Sequence, residues 1–277
     1  MGIADDILQD WQAAEAALLW QIDLGVDEWL LDQPINRYDL PEAVKPAPQP
    51  AAAHRLEPRA PERRPSPEPE PEPQAPKIDP VVEARNISAR CADMDALRQQ
   101  LLAFTHCDLQ KGARNMVLGE GRLGAKVMVI TEPPGTEEDR ESRAFAGASA
   151  ALFARMFAAI GLSFDSPDAQ SALYAAPALP WRTPGGRAPD PEHVAMLHPF
   201  LMRHISLAAP DLLVIMGPTP LAMLTPQKSL SQARGQWFDV AGRPALAMAH
   251  PAQLLRMPLA KREAWADLLS LKARASA

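Results

Sequence analysis

Four short apolar runs, at 126–131, 172–179, 211–216 and 244–249, alternate along the chain with stretches of helical periodicity at 148–160, 191–208 and 218–224. Strands that alternate with helices are joined by crossover connections, and such connections build a parallel sheet covered by helices on both faces. The pattern therefore predicts an α/β protein: a three-layer α/β/α sandwich on a four-stranded parallel sheet. A short helix over 94–104 precedes the sheet and a longer one over 259–272 follows it.

Each run stops at proline or glycine. The first enters Thr131-Glu132-Pro133-Pro134-Gly135, the second Pro180-Trp181-Arg182-Thr183-Pro184-Gly185-Gly186-Arg187, the third Gly217-Pro218-Thr219, and the fourth His250-Pro251. Proline cannot donate to a ladder and glycine permits close backbone approach, so the strand ends are built as loops. In an open parallel sheet the carboxyl ends of the strands border the ligand crevice. A carboxylate, Glu132, and an imidazole, His250, are thus delivered to one edge, where they can face a common substrate.

The 30 prolines are unevenly spread. Between Pro41 and Pro80 the chain is mostly Pro, Ala, Glu and Arg, too poor in large aliphatic residues to offset its ordering entropy. This divides the chain into an N-terminal amphipathic helix within 1–40, a disordered linker over 41–86 and a folded domain over 87–277. In the first part Ile3, Ile7, Trp11, Ala14, Leu18, Ile22, Val26 and Trp29 recur at intervals of three and four, so they share one helical face. That face either docks on the folded domain or serves a protein partner.

The net charge of −6 conceals an asymmetry: residues 107–277 carry 18 Lys and Arg against 15 Asp and Glu, while the first 106 residues carry 10 against 19. A mildly basic folded half is compatible with a polyanionic partner, although it is far from a basic stripe. Cys91 and Cys107 are the only cysteines and form no CxxC pair, so no structural metal site is expected. Two unpaired thiols fit a reducing cytoplasm, and neither a signal segment nor a membrane span is read in the chain.

From about Cys107 to Lys272 the chain resembles family 4 of the uracil-DNA glycosylase superfamily. Members typically carry Gly-Glu-Ala-Pro-Gly after the first strand, Gly-Arg-Pro-Phe-Val-Gly, Trp-Arg-Pro-Pro-Gly-Asn-Arg and His-Pro-Ala-x-Leu-Leu-Arg. Here these read Thr131-Glu132-Pro133-Pro134-Gly135, Ser142-Arg143-Ala144-Phe145-Ala146-Gly147, Trp181-Arg182-Thr183-Pro184-Gly185-Gly186-Arg187 and His250-Pro251-Ala252-Gln253-Leu254-Leu255-Arg256. Arg234-Gly235 and Lys261-Arg262-Glu263-Ala264-Trp265 match two further family segments. The order of all six is the family's.

The chain departs from that pattern twice. Many members hold an iron–sulfur cluster with four cysteines, and the corresponding residues here are Phe104, Cys107, Trp181 and Leu197. Only Cys107 remains, so the cluster-free branch is the appropriate comparison and no cofactor is expected. The second departure is Pro177, which stands where members carry the asparagine that reads uracil. Proline has neither a side-chain amide nor an N–H, and each such lost hydrogen bond costs about 1 to 3 kcal/mol in a buried site.

The resemblance implies roles for named residues. His250 would donate to the base as negative charge develops on it, and Glu132 would orient water and balance the cationic sugar. Phe145 would stack on the base, with Gly135 and Pro177 as its other neighbours. Leu254 and Leu255 would push into the base stack, and Arg182, Arg234, Arg256, Lys261 and Arg262 would neutralise phosphates. Glu137, Glu138 and Asp139 read instead as a solvated helix-start cluster. The function implied is a monomeric DNA-repair glycosylase that hydrolyses the N-glycosidic bond of uracil or a related damaged base after flipping it from the stack. The alternative is a non-catalytic DNA-binding relative that has lost uracil recognition through Pro177.

Overall fold

The computed structural model describes residues 79–276. The amphipathic helix read at 1–40 and most of the proline-rich segment lie outside those residues. The end of that segment is corrected, because Pro80–Arg90 form helix α1 and the folded part therefore begins before residue 87. Asp79 sets the start: its carboxylate accepts the amide of Val81, and Pro80 occupies the first helical position, where a missing N–H costs nothing.

Helix α2 (Met94–Ala103) is capped in the same way by Asp93 and is followed by the single turn α3 (Leu109–Gly112). Strands β1 (Glu120–Gly121) and β2 (Val127–Thr131) come next, then α4 (Thr136–Glu141), α5 (Gly147–Ala158) and β3 (Leu173–Pro177). The long α6 (Pro191–Ala208) leads into β4 (Leu212–Met216), α7 (Pro218–Leu224) and α8 (Leu230–Ala233). The hairpin β5 (Trp237–Val240) and β6 (Arg243–Met248) follows, then α9 (Pro251–Arg256) and α10 (Lys261–Ala275).

The sheet has six strands in the order β1-β3-β2-β4-β6-β5. The four apolar runs are its four inner strands, all mutually parallel. The four-strand expectation is corrected by two antiparallel edge strands. One edge, β1, is only two residues long, and a Cβ at Gly121 would fall 2.3 Å from the Leu173 carbonyl oxygen, so only glycine permits that approach. The other, β5, is tied to β6 by a two-residue turn, Ala241-Gly242, with φ of 55° and 75°. Two consecutive positive φ values are the hairpin geometry that matches strand twist.

Side chains alternate between two cores across this sheet. Met128, Ile130, Tyr174, Ala176, Leu213 and Ile215 face a core shared with α1, α2 and α6. Val127, Val129, Leu173, Val214, Leu246 and Met248 face the opposite core, closed by Phe153 and Phe157 of α5 and Leu268 and Leu271 of α10. The three layers place every inner-strand carboxyl end on one edge, where the motifs lie.

Candidate active site

A hollow of about 420 Å3 opens on that edge, and Thr131, Glu132, Gly135, Thr219, His250 and Arg256 are among its lining residues. Four prolines, Pro133, Pro134, Pro189 and Pro218, line it beside these polar groups. A concave site with few placed polar groups is the usual form of a small-ligand pocket.

Glu132 follows β2 directly and is held by one residue from the next strand end. The Thr219 amide donates to Oε1 at 2.9 Å and the Thr219 hydroxyl to Oε2 at 2.5 Å. Gly217 makes this contact possible: at φ of 112° it bends the chain between β4 and α7, and a Cβ there would fall 2.1 Å from Glu132 Oε1. Burial pushes the Glu132 carboxyl above its ordinary range, and the two bonds from Thr219 oppose that rise. Both oxygens are oriented, and each keeps acceptor capacity toward the hollow.

His250 caps α9, and its Nδ1 accepts the Ala252 amide at 3.2 Å. A nitrogen that accepts carries no proton, so the neutral ring bears its hydrogen on Nε2. That N–H points at Thr131 Oγ1, 2.9 Å away. Burial, with a smaller contribution from Arg256, pushes the imidazole down to about 4, so it is neutral near pH 7. The site therefore presents a neutral N–H donor and an oriented carboxylate in one hollow.

Phe145 is placed differently from its sequence reading. It is 1% exposed and absent from the lining of the hollow. Its ring stacks on Phe153 with centroids 4.1 Å apart and on the His250 imidazole at 5.6 Å. Phe153 stacks in turn on Phe164 at 5.2 Å, so an aromatic column backs the histidine. Flat apolar faces satisfy one another better in a column than singly in water, and Phe145 supports the imidazole plane from behind rather than offering a free face.

Pro177 is also displaced from its expected role. It is buried at the end of β3, pairs with Thr131, and borders a separate small cavity with Leu118 and Phe200 rather than the hollow. Gly135 does line the hollow. Its amide donates to Glu138 Oε2, whose other oxygen accepts the Ala146 amide at 3.2 Å. The solvated-cluster reading is thereby corrected for Glu138 and Asp139, whereas Glu137 is exposed in the first turn of α4. Glu138 lines the hollow, Glu137 Oε2 lies where a Gly147 Cβ would sit, and Asp139 is 5% exposed and accepts the Arg114 and Asn115 amides.

The expected DNA contacts divide. Leu254 is 1% exposed and packs with Leu152, Ala249 and Ala264, so it belongs to the core, while its neighbour Leu255 is 39% exposed and projects. Adjacent residues on a helix point about 100° apart, and only one of the two can face inward. Met257 and Leu259, close behind Leu255 in sequence, are exposed as well. Arg256, Lys261 and Arg262 are exposed. Arg234 is not free: its guanidinium bonds Asp267 Oδ1 at 2.9 Å and pairs with Glu263 at 3.2 Å, which fastens the β5 approach to α10. Arg182 reaches Thr136 Oγ1 at 3.3 Å and lies outside the hollow. Sequence reasoning does not single out Thr219 and Arg187, although both sit in strand-end loops that it does mark.

The four positions that the family resemblance assigns to cluster cysteines hold Phe104, Cys107, Trp181 and Leu197, all 2% exposed or less within one apolar core. One thiol, pushed up by burial, and three hydrocarbon side chains do not fit a four-thiolate cluster. Trp181 instead anchors the loop after β3, where the Thr183 hydroxyl donates to the Arg187 carbonyl at 2.6 Å. Among the described residues no helix is long and apolar enough to cross a membrane.

The chain is similar to known proteins over this folded region. The model of the uracil DNA glycosylase superfamily matches residues 118–269, more than half of the chain. A type-4 uracil-DNA glycosylase of Thermotoga maritima is 30% identical over 59% of this chain and 83% of its own length. Type-4 uracil-DNA glycosylases of Archaeoglobus fulgidus and Pyrobaculum aerophilum are 27% and 26% identical, covering 63% and 64% of this chain and 89% and 91% of theirs. With its sheet, strand-end loops and motif order in place, the chain belongs to the uracil-DNA glycosylase superfamily.

Proposed function

We propose that this protein is a DNA base-excision glycosylase that hydrolyses the N-glycosidic bond of uracil or a related damaged base. The observation that carries the reading is the shared hollow: Glu132 from the β2 end and the neutral His250 from the β6 end line the same cavity in a chain of this superfamily. Base–sugar cleavage separates charge, leaving an anionic base and a sugar with cationic character. A site for it must place a donor at one end and a negative group at the other.

On this reading the two residues take those parts. The His250 Nε2–H, resting on Thr131 in the free protein, turns to a carbonyl oxygen of the bound base, where charge gathers as the bond lengthens. A neutral imidazole donates without giving its proton away, which suits a leaving group that departs as an anion. Glu132, held by Thr219, accepts a hydrogen bond from the attacking water and faces the cationic sugar. Water adds to the sugar carbon, the electron pair of the broken bond leaves with the base, and the water's proton passes to the carboxylate and then to solvent. The prolines that line the hollow supply an apolar surface for the base. Leu255 fills the space that the flipped nucleotide vacates. DNA is thus the partner, and Arg256, Lys261 and Arg262 meet its backbone.

A second reading has its own support: β3 ends in Pro177, and none of its residues lines the hollow. On that reading the chain binds DNA without excising a base. Incubation with single-stranded and duplex oligonucleotides carrying uracil, hypoxanthine or xanthine, followed by alkaline cleavage of abasic sites, separates the two. Strand breaks at one of these bases support the enzyme. Tight binding with no breaks at any of them establishes the binder.

A further inference from the structure

A second hollow of about 420 Å3 lies on the other side of α4, lined by Lys111, Arg114, Arg140 and Arg182 with Thr136 and Asp139. We propose that it is a phosphate-binding site for the strand that carries the target nucleotide; this rests on DNA being the partner. The feature is built rather than incidental. Asp139 is buried and spends its oxygens on the amides of Arg114, at 2.9 and 3.1 Å, and of Asn115, at 2.9 Å. The Asn115 amide group returns a bond to the Asp139 carbonyl at 2.6 Å. One internal carboxylate therefore staples the loop after α3, with Lys111 and Arg114, to α4 with Arg140, and Arg182 joins them from the loop after β3 through Thr136.

The charge faces outward while its one buried acid is consumed within. Lys111, Arg114 and Arg140 are exposed or half-exposed, and no carboxylate lies within ion-pair distance of Lys111, Arg114 or Arg182 among the described residues. Arg140 meets Glu141 at 3.1 Å in an exposed pair, which solvent screens. Three fork-shaped guanidinium groups and an ammonium in a concave setting match the oxygens of a phosphodiester. Position favours DNA over a free anion. Gly135 and Glu138 line the first hollow, whereas Thr136, Asp139 and Arg140 line the second, so a single helical turn separates them. A strand whose base enters the first hollow carries its neighbouring phosphates past the second. Arg256 lines the first hollow from α9, and Lys261 and Arg262 are exposed at the start of α10, so cations from other elements are available to the same strand.

The test compares the full chain with Lys111→Ala/Arg114→Ala and, as a charge control, Lys228→Ala/Lys272→Ala. Arg114 bonds Asp139 through its backbone, so the first pair of substitutions leaves the staple intact. Binding is measured to single-stranded oligonucleotides bearing one abasic analogue, extended stepwise on its 5′ or 3′ side, between about 50 and 200 mM salt. Affinity of the wild-type chain should rise with extension mainly on one side. The double variant should lose that increment, bind roughly 10-fold more weakly, and show a salt slope smaller by about 1.4, the value for two lost single-strand phosphate contacts. The control should match wild type. Equal affinity and equal slope in wild type and the double variant, or an equal loss in the control, would overturn the site. Because the abasic analogue needs no cleavage, lost affinity in a protein that excises no base would defeat the glycosylase reading and leave this one standing.

Discussion

The ends of β2, β4 and β6 are tied to one another by polar side chains, whereas β3, at the same edge, contributes none. Thr131 holds His250, Thr219 holds Glu132, and Gly217 is left without a side chain so that the carboxylate fits. Behind β3 the polar groups turn away from the hollow: Tyr174 bonds His204 at 2.8 Å in the interior. On the proposed reading, groups that act on the bond and groups that read the base are specified separately: Glu132 and His250 line the hollow, while Pro177 stands where the family resemblance places the reading group.

The largest effect that can break this contrast is at His250. His250→Ala removes the donor and should lower kcat by about 100- to 1000-fold with little change in DNA affinity. Single-turnover cleavage and equilibrium binding on the same oligonucleotide check it. An equal fall in affinity would mean that the imidazole is part of the DNA-binding surface and not of the chemistry.

Next in size is a stability effect that compares the two sides of the sheet. Burial pushes His204 down to about 4, against about 6.5 in the unfolded chain. Between those values the unfolded state binds a proton that the folded state does not. The contribution is present above about pH 6.5 and is lost as pH falls toward about 4. Urea unfolding should show His204→Gln losing about 2 to 3 kcal/mol less than wild type between about pH 7 and 4.5. The His250 imidazole, also near 4, adds a loss of the same sign to both proteins.

A smaller effect belongs to Thr219, which orients Glu132 without entering the reaction. Thr219→Val keeps shape and amide but loses the hydroxyl, and should lower kcat about 10-fold, the worth of one hydrogen bond to a charged group. Thr219→Ser should restore most of it. The acid limb of the pH–rate profile should move up in the valine variant, because one bond that opposes the burial-driven rise of Glu132 is gone.

How far this contrast is legible in sequence follows from the range of each interaction. The four inner strands announce themselves as apolar runs stopped by proline, and the same stops place Glu132 and His250 on one edge. The edge strands are not legible: β1 is two residues long, and the β5–β6 turn uses Ala241, which carries no turn signature. Nor can local pattern separate Leu254 from Leu255, since helix phase is set by what α9 packs against. The acidic cluster misleads because Asp139 finds its partners 24 and 25 residues upstream. Phe145 and Arg234 stand out by motif alone, and their stacking and ion-pair partners come from other elements.

The smallest expected effect is a gain, and it bears most directly on the contrast. Pro177 ends β3 beside Thr131, and the Ala178 amide already donates to the Thr131 carbonyl at 2.8 Å, so the backbone there remains paired when proline is replaced. Pro177→Asn introduces the amide that the family resemblance places there and, on the proposed reading, should raise kcat/KM for uracil about 5-fold, the worth of one neutral hydrogen bond. The rise should be confined to uracil and leave hypoxanthine unchanged, because only the reading group has altered. Improvement with every base would instead show that proline had been holding the edge in a poor shape. No improvement with any base would mean that the introduced amide does not reach the hollow, as the buried position of Pro177 beside the separate cavity allows. The polar side chains that do line the hollow, among them Thr131 beside the imidazole, Ser149, Thr183 and Gln253, would then be the groups left to read the base.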